Sequence, residues 1–254
     1  MPTNELLDQV REIALRAGQV VMDVYATDFA VRGKDDASPV TEADERAETV
    51  IVTALRALTP DVPIVAEEEV AAGRTPAVQG RFWLVDPLDG TKEFISRNGE
   101  FTVNIALVQD GAPVLGVVYA PALGRLFAGA VGGPAYVEDA DGHHAIACRR
   151  VPADGLTVVA SRSHGDAAAL DSFLAGRKVA SLKNAGSSLK LCLVATGEAD
   201  LYPRLGRTME WDIAAGHAVL SAAGGRVTDL SGQVLRYGKP GFDNPHFVAS
   251  GLAG

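Results

Sequence analysis

The order of apolar patterns along the chain sets the strongest limit on its fold. Residues 81–86, 101–109, 113–120, 125–130 and 135–138 are strand-like runs rich in Val, Phe, Tyr and Leu, parted by turns with Gly or Pro. The pattern changes after the polar stretch 139–154. Strand 156–160, helix 166–175, strand 178–181, helix 187–196, strand 199–202, helix 211–223 and strand 226–229 then alternate. Consecutive strands followed by strand–helix alternation predict an α+β half and then an α/β half, with the boundary near 140–155. We therefore expect an N-terminal domain over 1–150 and a C-terminal one over 151–254.

Two helices precede the strands. Leu6, Val10, Ile13, Ala17, Val20, Val21 and Val24 recur at helical spacing, which predicts a helix over 4–26. A loop with Gly33, Asp35, Asp36 and Pro39 ends at Thr41. Ala43, Ala47, Val50, Ile51, Ala54, Leu55 and Leu58 define a second helix, closed by Pro60 and opened by Thr41 and Asp44 at capping-box spacing. The short strand Ile64-Val65-Ala66 runs into Glu67-Glu68-Glu69.

The composition excludes several classes. A chain of 254 residues, 47% hydrophobic, has material for a substantial core and none of the bias of a disordered protein. The net charge of −9 argues against a nucleic-acid polymer as partner, since polyphosphate binding needs a broad basic surface. The apolar runs fall short of a membrane span, and Met1 to Asp8 lacks the pattern of a signal peptide. The expected location is the cytoplasm; peripheral attachment to the inner face of the cell membrane and a homodimeric state both stay open. Cys148 and Cys192 are too few for a disulfide framework and are expected to be reduced, buried apolar residues.

The chemistry is concentrated in Trp83-Leu84-Val85-Asp86-Pro87-Leu88-Asp89-Gly90-Thr91. An apolar strand stops at two carboxylates three residues apart, and a Gly-Thr pair follows. Pro87 lacks a donor and Gly90 permits a sharp bend, so the chain should turn with both acids pointing one way. Clustered carboxylates repel one another unless a cation lies between them, and oxygen-only ligation suits Mg²⁺. Further acids stand at element ends: Glu67 after a strand, Asp44 in the first turn of the second helix, Asp212 beginning helix 211–223. Taken singly, Asp44 also suits a cap, Asp212 a helix dipole and Glu67 a solvated acidic run, and spacing alone does not choose.

Four segments resemble the signatures of the inositol monophosphatase superfamily of lithium-sensitive, Mg²⁺-dependent phosphatases. They are Ser38-Pro39-Val40-Thr41-Glu42-Ala43-Asp44, Glu67-Glu68, Asp86-Pro87-Leu88-Asp89-Gly90-Thr91 and Trp211-Asp212-Ile213-Ala214-Ala215-Gly216, in the superfamily's order and covering nearly the whole chain. The stretch Lys92 to Asn104, Gly186-Ser187-Ser188-Leu189-Lys190 and Leu201-Tyr202-Pro203-Arg204 resemble its branch of CysQ-type 3′(2′),5′-bisphosphate nucleotidases. The implied fold is a layered α/β/α/β/α sandwich. The implied reaction is hydrolysis of the 3′-phosphate of adenosine 3′,5′-bisphosphate, and of its sulfated parent, in sulfur metabolism. The alternatives are an inositol 1-phosphate or sugar phosphate phosphatase and, from another class, a non-catalytic nucleotide sensor.

Carried over by position, the resemblance makes Glu67, Asp86, Asp89, Asp212 and the Leu88 carbonyl ligands of two to three Mg²⁺ ions, with Mn²⁺ as a substitute and Li⁺ as an inhibitor. Asp44 would serve the third metal or its water, and Thr91 would orient the attacking water. Gly90 and Thr91 amides would hold phosphate oxygens. Gly186, Ser187 and Ser188 would line the substrate pocket, with helix capping as the competing role. Lys183, Lys190, Arg204 and Arg207 are candidates for the substrate's other phosphate, and His164 is a candidate neighbour.

Overall fold

The computed structural model describes residues 3–33, 39–161 and 167–252. In chain order the helices are α1 (Thr3–Tyr25), α2 (Glu42–Leu58), α3 (Glu67–Ala71), α4 (Thr91–Ile95), α5 (Ala167–Leu174), α6 (Leu189–Ala195) and α7 (Glu210–Ala222). The first nine strands are β1 (Arg32–Gly33), β2 (Pro39–Val40), β3 (Ile64–Ala66), β4 (Arg81–Asp89), β5 (Thr102–Gln109), β6 (Ala112–Ala120), β7 (Arg125–Ala130), β8 (Ala135–Asp139) and β9 (Gly142–Ile146). The remaining five are β10 (Leu156–Ser161), β11 (Val179–Ala185), β12 (Leu201–Arg204), β13 (Arg226–Asp229) and β14 (Phe247–Ser250).

Strands β3 to β9 form a seven-stranded sheet in sequence order, antiparallel except for the parallel β3–β4 pair. A five-stranded sheet has the order β11-β10-β12-β14-β13. The period of two in a strand explains the apolar run of β4, because the sheet is covered on both sides. Trp83 and Val85 join Ile105, Leu107 and Val117 in the core under α1 and α2. Phe82 and Leu84 point the other way, into a second core with α6, α7 and the five-stranded sheet.

Helix α7 is the central layer. Ten of its residues are buried, on every side of the helix, as expected where one sheet lies on each flank. Glycine brings it close. A Cβ on Gly116 of β6 would stand 2.3 Å from the Ala215 carbonyl oxygen. Gly129 of β7, paired with Gly116, faces Val219 and Ala222 in the same way. The layers read α1/α2, sheet, α6/α7, sheet, and α5 carries no buried residue. This is the expected layered sandwich.

Some elements depart from the sequence reading. The polar stretch 139–154 contains β9, exposed except at Ile146 and without apolar alternation. Short helices α3 and α4 replace turns, and β14 adds a strand between β12 and β13. Of the loop 33–41, residues 34–38 lie outside the described residues. Among the described residues no helix is long and apolar enough to cross a membrane.

Candidate active site

The site is built where β3 and β4 end and β5 begins, against α2 and α7. Parallel pairing sets Ala66 opposite Val85, so the next residues, Glu67 and Asp86, emerge side by side. Residues three apart in a regular strand face opposite ways. In β4, however, Asp86 pairs with Asn104 and Asp89 with Thr102, so three steps on one strand match two on the other. The extra residue of this bulge returns Asp89 to the face of Asp86. Pro87 sits in the bulge, beyond the last β3 pairing, where its missing N–H leaves no ladder bond unmade. Gly90 then turns at φ 89°, ψ 43°, a left-handed conformation that opens α4 at Thr91.

Local hydrogen bonds aim the other acids. In α2 the capping box forms: the Thr41 amide and hydroxyl both donate to Asp44 Oδ2 at 2.8 Å. Thr91 Oγ1 stands 3.3 Å from Asp44 Oδ1 and 3.3 Å from the Leu88 carbonyl oxygen. Asp44 is thus both a cap and a partner of Thr91. Asp212 lies at the third position of α7, where Met209 N donates to its Oδ2 at 2.8 Å. Leu88 N donates to Asp86 Oδ1 at 3.0 Å.

These acids feel one another. Burial first, then the charges of Glu67, Asp89 and Asp212, raise Asp86 well above the ordinary carboxylate range. Burial, Asp89 and Glu67 do the same to Asp212, against the pull of the Met209 amide and Arg204. Burial pushes Asp89 up to about 6, opposed by Lys190 and by the Ser188 amide. Among the described residues, no three His, Cys, Asp or Glu side chains are gathered at the spacing of a metal-ion site. One oxygen each of Asp86 and Asp212 is engaged by a backbone amide, which leaves their second oxygens outside those bonds. Mutually repelling oxygen donors, buried at Asp86 and half-buried at Glu67, Asp89 and Asp212, suit a hard divalent cation.

A polar network beneath the acids escaped the sequence reading. Ser188 Oγ donates to Asn104 Oδ1 at 2.7 Å and lies 3.0 Å from Thr102 Oγ1. Asn104 Nδ2 is 3.4 Å from both Asp89 Oδ2 and the Asp212 carbonyl oxygen. Thr102 and Asn104 are fully buried. Two polar residues at strand period in an otherwise apolar run were the available signal. Ser188 does not cap α6 with its side chain, whereas Ser187 Oγ accepts from Leu189 N at 3.4 Å. Gly186 N donates to Glu100 Oε2 at 2.8 Å.

The cationic candidates divide. Lys190 is buried, its ammonium donates to the Ala185 and Ser187 carbonyls, and burial lowers it to about 8 while Asp89 opposes the shift. Arg204 is 9% exposed, donates through Nη2 to the Arg207 carbonyl, and carries a buried Nε with no hydrogen-bond partner among the described residues. Lys183 is exposed and donates to the Glu198 carbonyl; Arg207 is exposed and pairs with Asp243 at 2.9 Å. His164 and Ser38 lie outside the described residues.

Two sheets around a central helix, with acids gathered where β4 meets that helix, define a layered α/β sandwich with a carboxylate-lined site. The sequence model of the inositol monophosphatase family matches residues 3–251. The chain belongs to that family. It is 49% identical over 248 residues to the 3′(2′),5′-bisphosphate nucleotidase CysQ of Escherichia coli strain K12, covering 96% of this chain and 99% of that one. Among solved structures it is similar to CysQ from Bacteroides thetaiotaomicron, with a TM-score of 0.82, 35% identity and 98% of each chain covered. The IMPase of Thermotoga maritima superposes with a TM-score of 0.81 at 27% identity, covering 97% of this chain and 92% of that one.

Proposed function

We propose that this chain is a Mg²⁺-dependent 3′(2′),5′-bisphosphate nucleotidase that hydrolyses the 3′-phosphate of adenosine 3′,5′-bisphosphate to AMP and phosphate, within sulfur metabolism. The observation that carries the reading is the 49% identity to a nucleotidase of that name over 96% of the chain. Fold alone does not discriminate, because an IMPase superposes almost equally well.

Glu67, Asp86, Asp89, Asp212 and the Leu88 carbonyl would hold the metal ions. Bound there, Mg²⁺ supplies an acidified water and neutralises charge on the phosphoryl oxygens. The protein's own part is positioning. With its proton directed at Asp44 or the Leu88 carbonyl, Thr91 Oγ1 offers lone pairs to a water and can hold one of its protons. Asn104 keeps Asp89 and the first turn of α7 in register. Lys190 and Arg204 are the buried cations that exert charge on Asp89 and Asp212, and they suit the substrate's second phosphate.

Phosphate release from adenosine 3′,5′-bisphosphate and inositol 1-phosphate, compared as kcat/KM in Mg²⁺, tests the reading. We expect the nucleotide to be favoured by at least tenfold, roughly 1.4 kcal/mol in transition-state binding; preference for the inositol ester would overturn it. Asp89→Asn, which keeps side-chain volume, should lower kcat by roughly three orders of magnitude with the fold retained. Millimolar Li⁺ should inhibit the wild type.

A further inference from the structure

We propose that Glu48 is a positioning residue that fixes Glu67 by capping α3 from another helix. The inference rests on the reading of Glu67 as a metal ligand. Helix α3 begins at Glu67, and its N-cap position is Ala66, whose side chain makes no capping bond. The first-turn N–H groups of a helix need acceptors, and Ala offers none. Glu48, reaching across from α2, supplies one: the Glu68 amide donates to its Oε2 at 2.7 Å, and the Glu69 amide lies near enough to favour its ionised form.

The choice of residue is informative. Glu48 is 6% exposed, and its neighbours across the gap are Glu67 and Glu69, both of which repel it. Burying a carboxylate beside other carboxylates is costly, so charge balance does not explain its presence. A strong acceptor aimed at two amides does. Asp44 lies one helical turn earlier, on the same face of α2. The helix therefore carries two buried carboxylates with parallel tasks: Asp44 meets Thr91, and Glu48 meets the start of α3. Between them they tie both flanks of the candidate metal site to one rigid element. A further tie between α2 and α3 is the Arg56–Glu69 pair at 3.0 Å, whose arginine is exposed. A pair of that kind holds little.

The test uses Glu48→Met, which removes the acceptor at similar length, Glu48→Gln, which keeps one, and Glu48→Asp, which withdraws it by one methylene. Amide hydrogen exchange of Glu68 and Glu69 is measured without metal, and Mg²⁺ affinity by calorimetry. Glu48→Met should lose protection at those two amides and bind Mg²⁺ about tenfold more weakly, while kcat at saturating Mg²⁺ stays within about threefold of wild type. Glu48→Gln should stay within about threefold of wild type in both measurements. Wild-type Mg²⁺ affinity in folded Glu48→Met, or in Glu48→Asp should the first not fold, overturns the role. So does a Glu48→Gln protein as weak as Glu48→Met. Asp89→Asn in parallel separates the failures. If neither wild type nor Asp89→Asn binds Mg²⁺, the metal reading falls and the role of Glu48 falls with it. If only Asp89→Asn loses the ion, the role of Glu48 alone is overturned.

Discussion

At the scale of single residues, the site stores unfavourable electrostatics. Asp86 is 1% exposed, and three neighbouring acids raise its proton affinity. Relieving that repulsion should stabilise the metal-free protein. Asp86→Asn keeps an acceptor for the Leu88 amide, so in EDTA it should unfold at higher urea than wild type, by about 1 kcal/mol. Adding Mg²⁺ should raise the midpoint of the wild type and leave the variant unmoved. A variant less stable than wild type in EDTA would contradict the argument. The acids themselves were legible in the sequence, because an apolar strand that ends in Asp-Pro-Leu-Asp has few innocent explanations. Asn104 and Glu48 were not. Each acts through contacts with residues 15 to 108 positions away in the chain, and no local pattern encodes such a contact.

At the scale of elements, the capping box of α2 and strands β3 to β8 of the seven-stranded sheet followed from short-range pattern, since caps and alternation are local physics. Helices α3 and α4, five residues each, did not, because so short a helix owes its existence to tertiary bonds such as Glu48 to Glu68. Helix α7 offers a pH test. His217 is buried within it, with Nδ1 2.7 Å from the Tyr237 hydroxyl, and burial pushes it down to about 4 from an ordinary 6.5. The unfolded chain takes up that proton first, so His217 costs stability as pH falls from 6.5 toward 4. Between pH 6.5 and 5 the loss should reach about 2 kcal/mol. Urea unfolding of wild type and His217→Gln at pH 5 and 7 measures it: the variant should show a clearly shallower decline, and equal declines would refute the assignment.

At the scale of the whole molecule, the candidate site is a meeting of layers. Asp86 and Asp89 belong to the seven-stranded sheet, whereas Asp212 rides on the helix laid against it. Gly116 sets how closely that helix can lie. Gly116→Ala should cost about 3 kcal/mol and weaken Mg²⁺ binding as well, although residue 116 touches none of the acids. Paired urea and calorimetric titrations would show it; lost stability with unchanged Mg²⁺ affinity would mean the layers adjust independently. The space at this point is closed by the Ala215 carbonyl and the Ala218 methyl, which a Cβ on residue 116 would meet at 2.3 and 2.8 Å. No rotamer enters those distances. The gap between the two acid-bearing parts is therefore gauged at a point where residue 116 contributes no side chain, and any atom added there would drive Asp212 away from its sheet-borne partners.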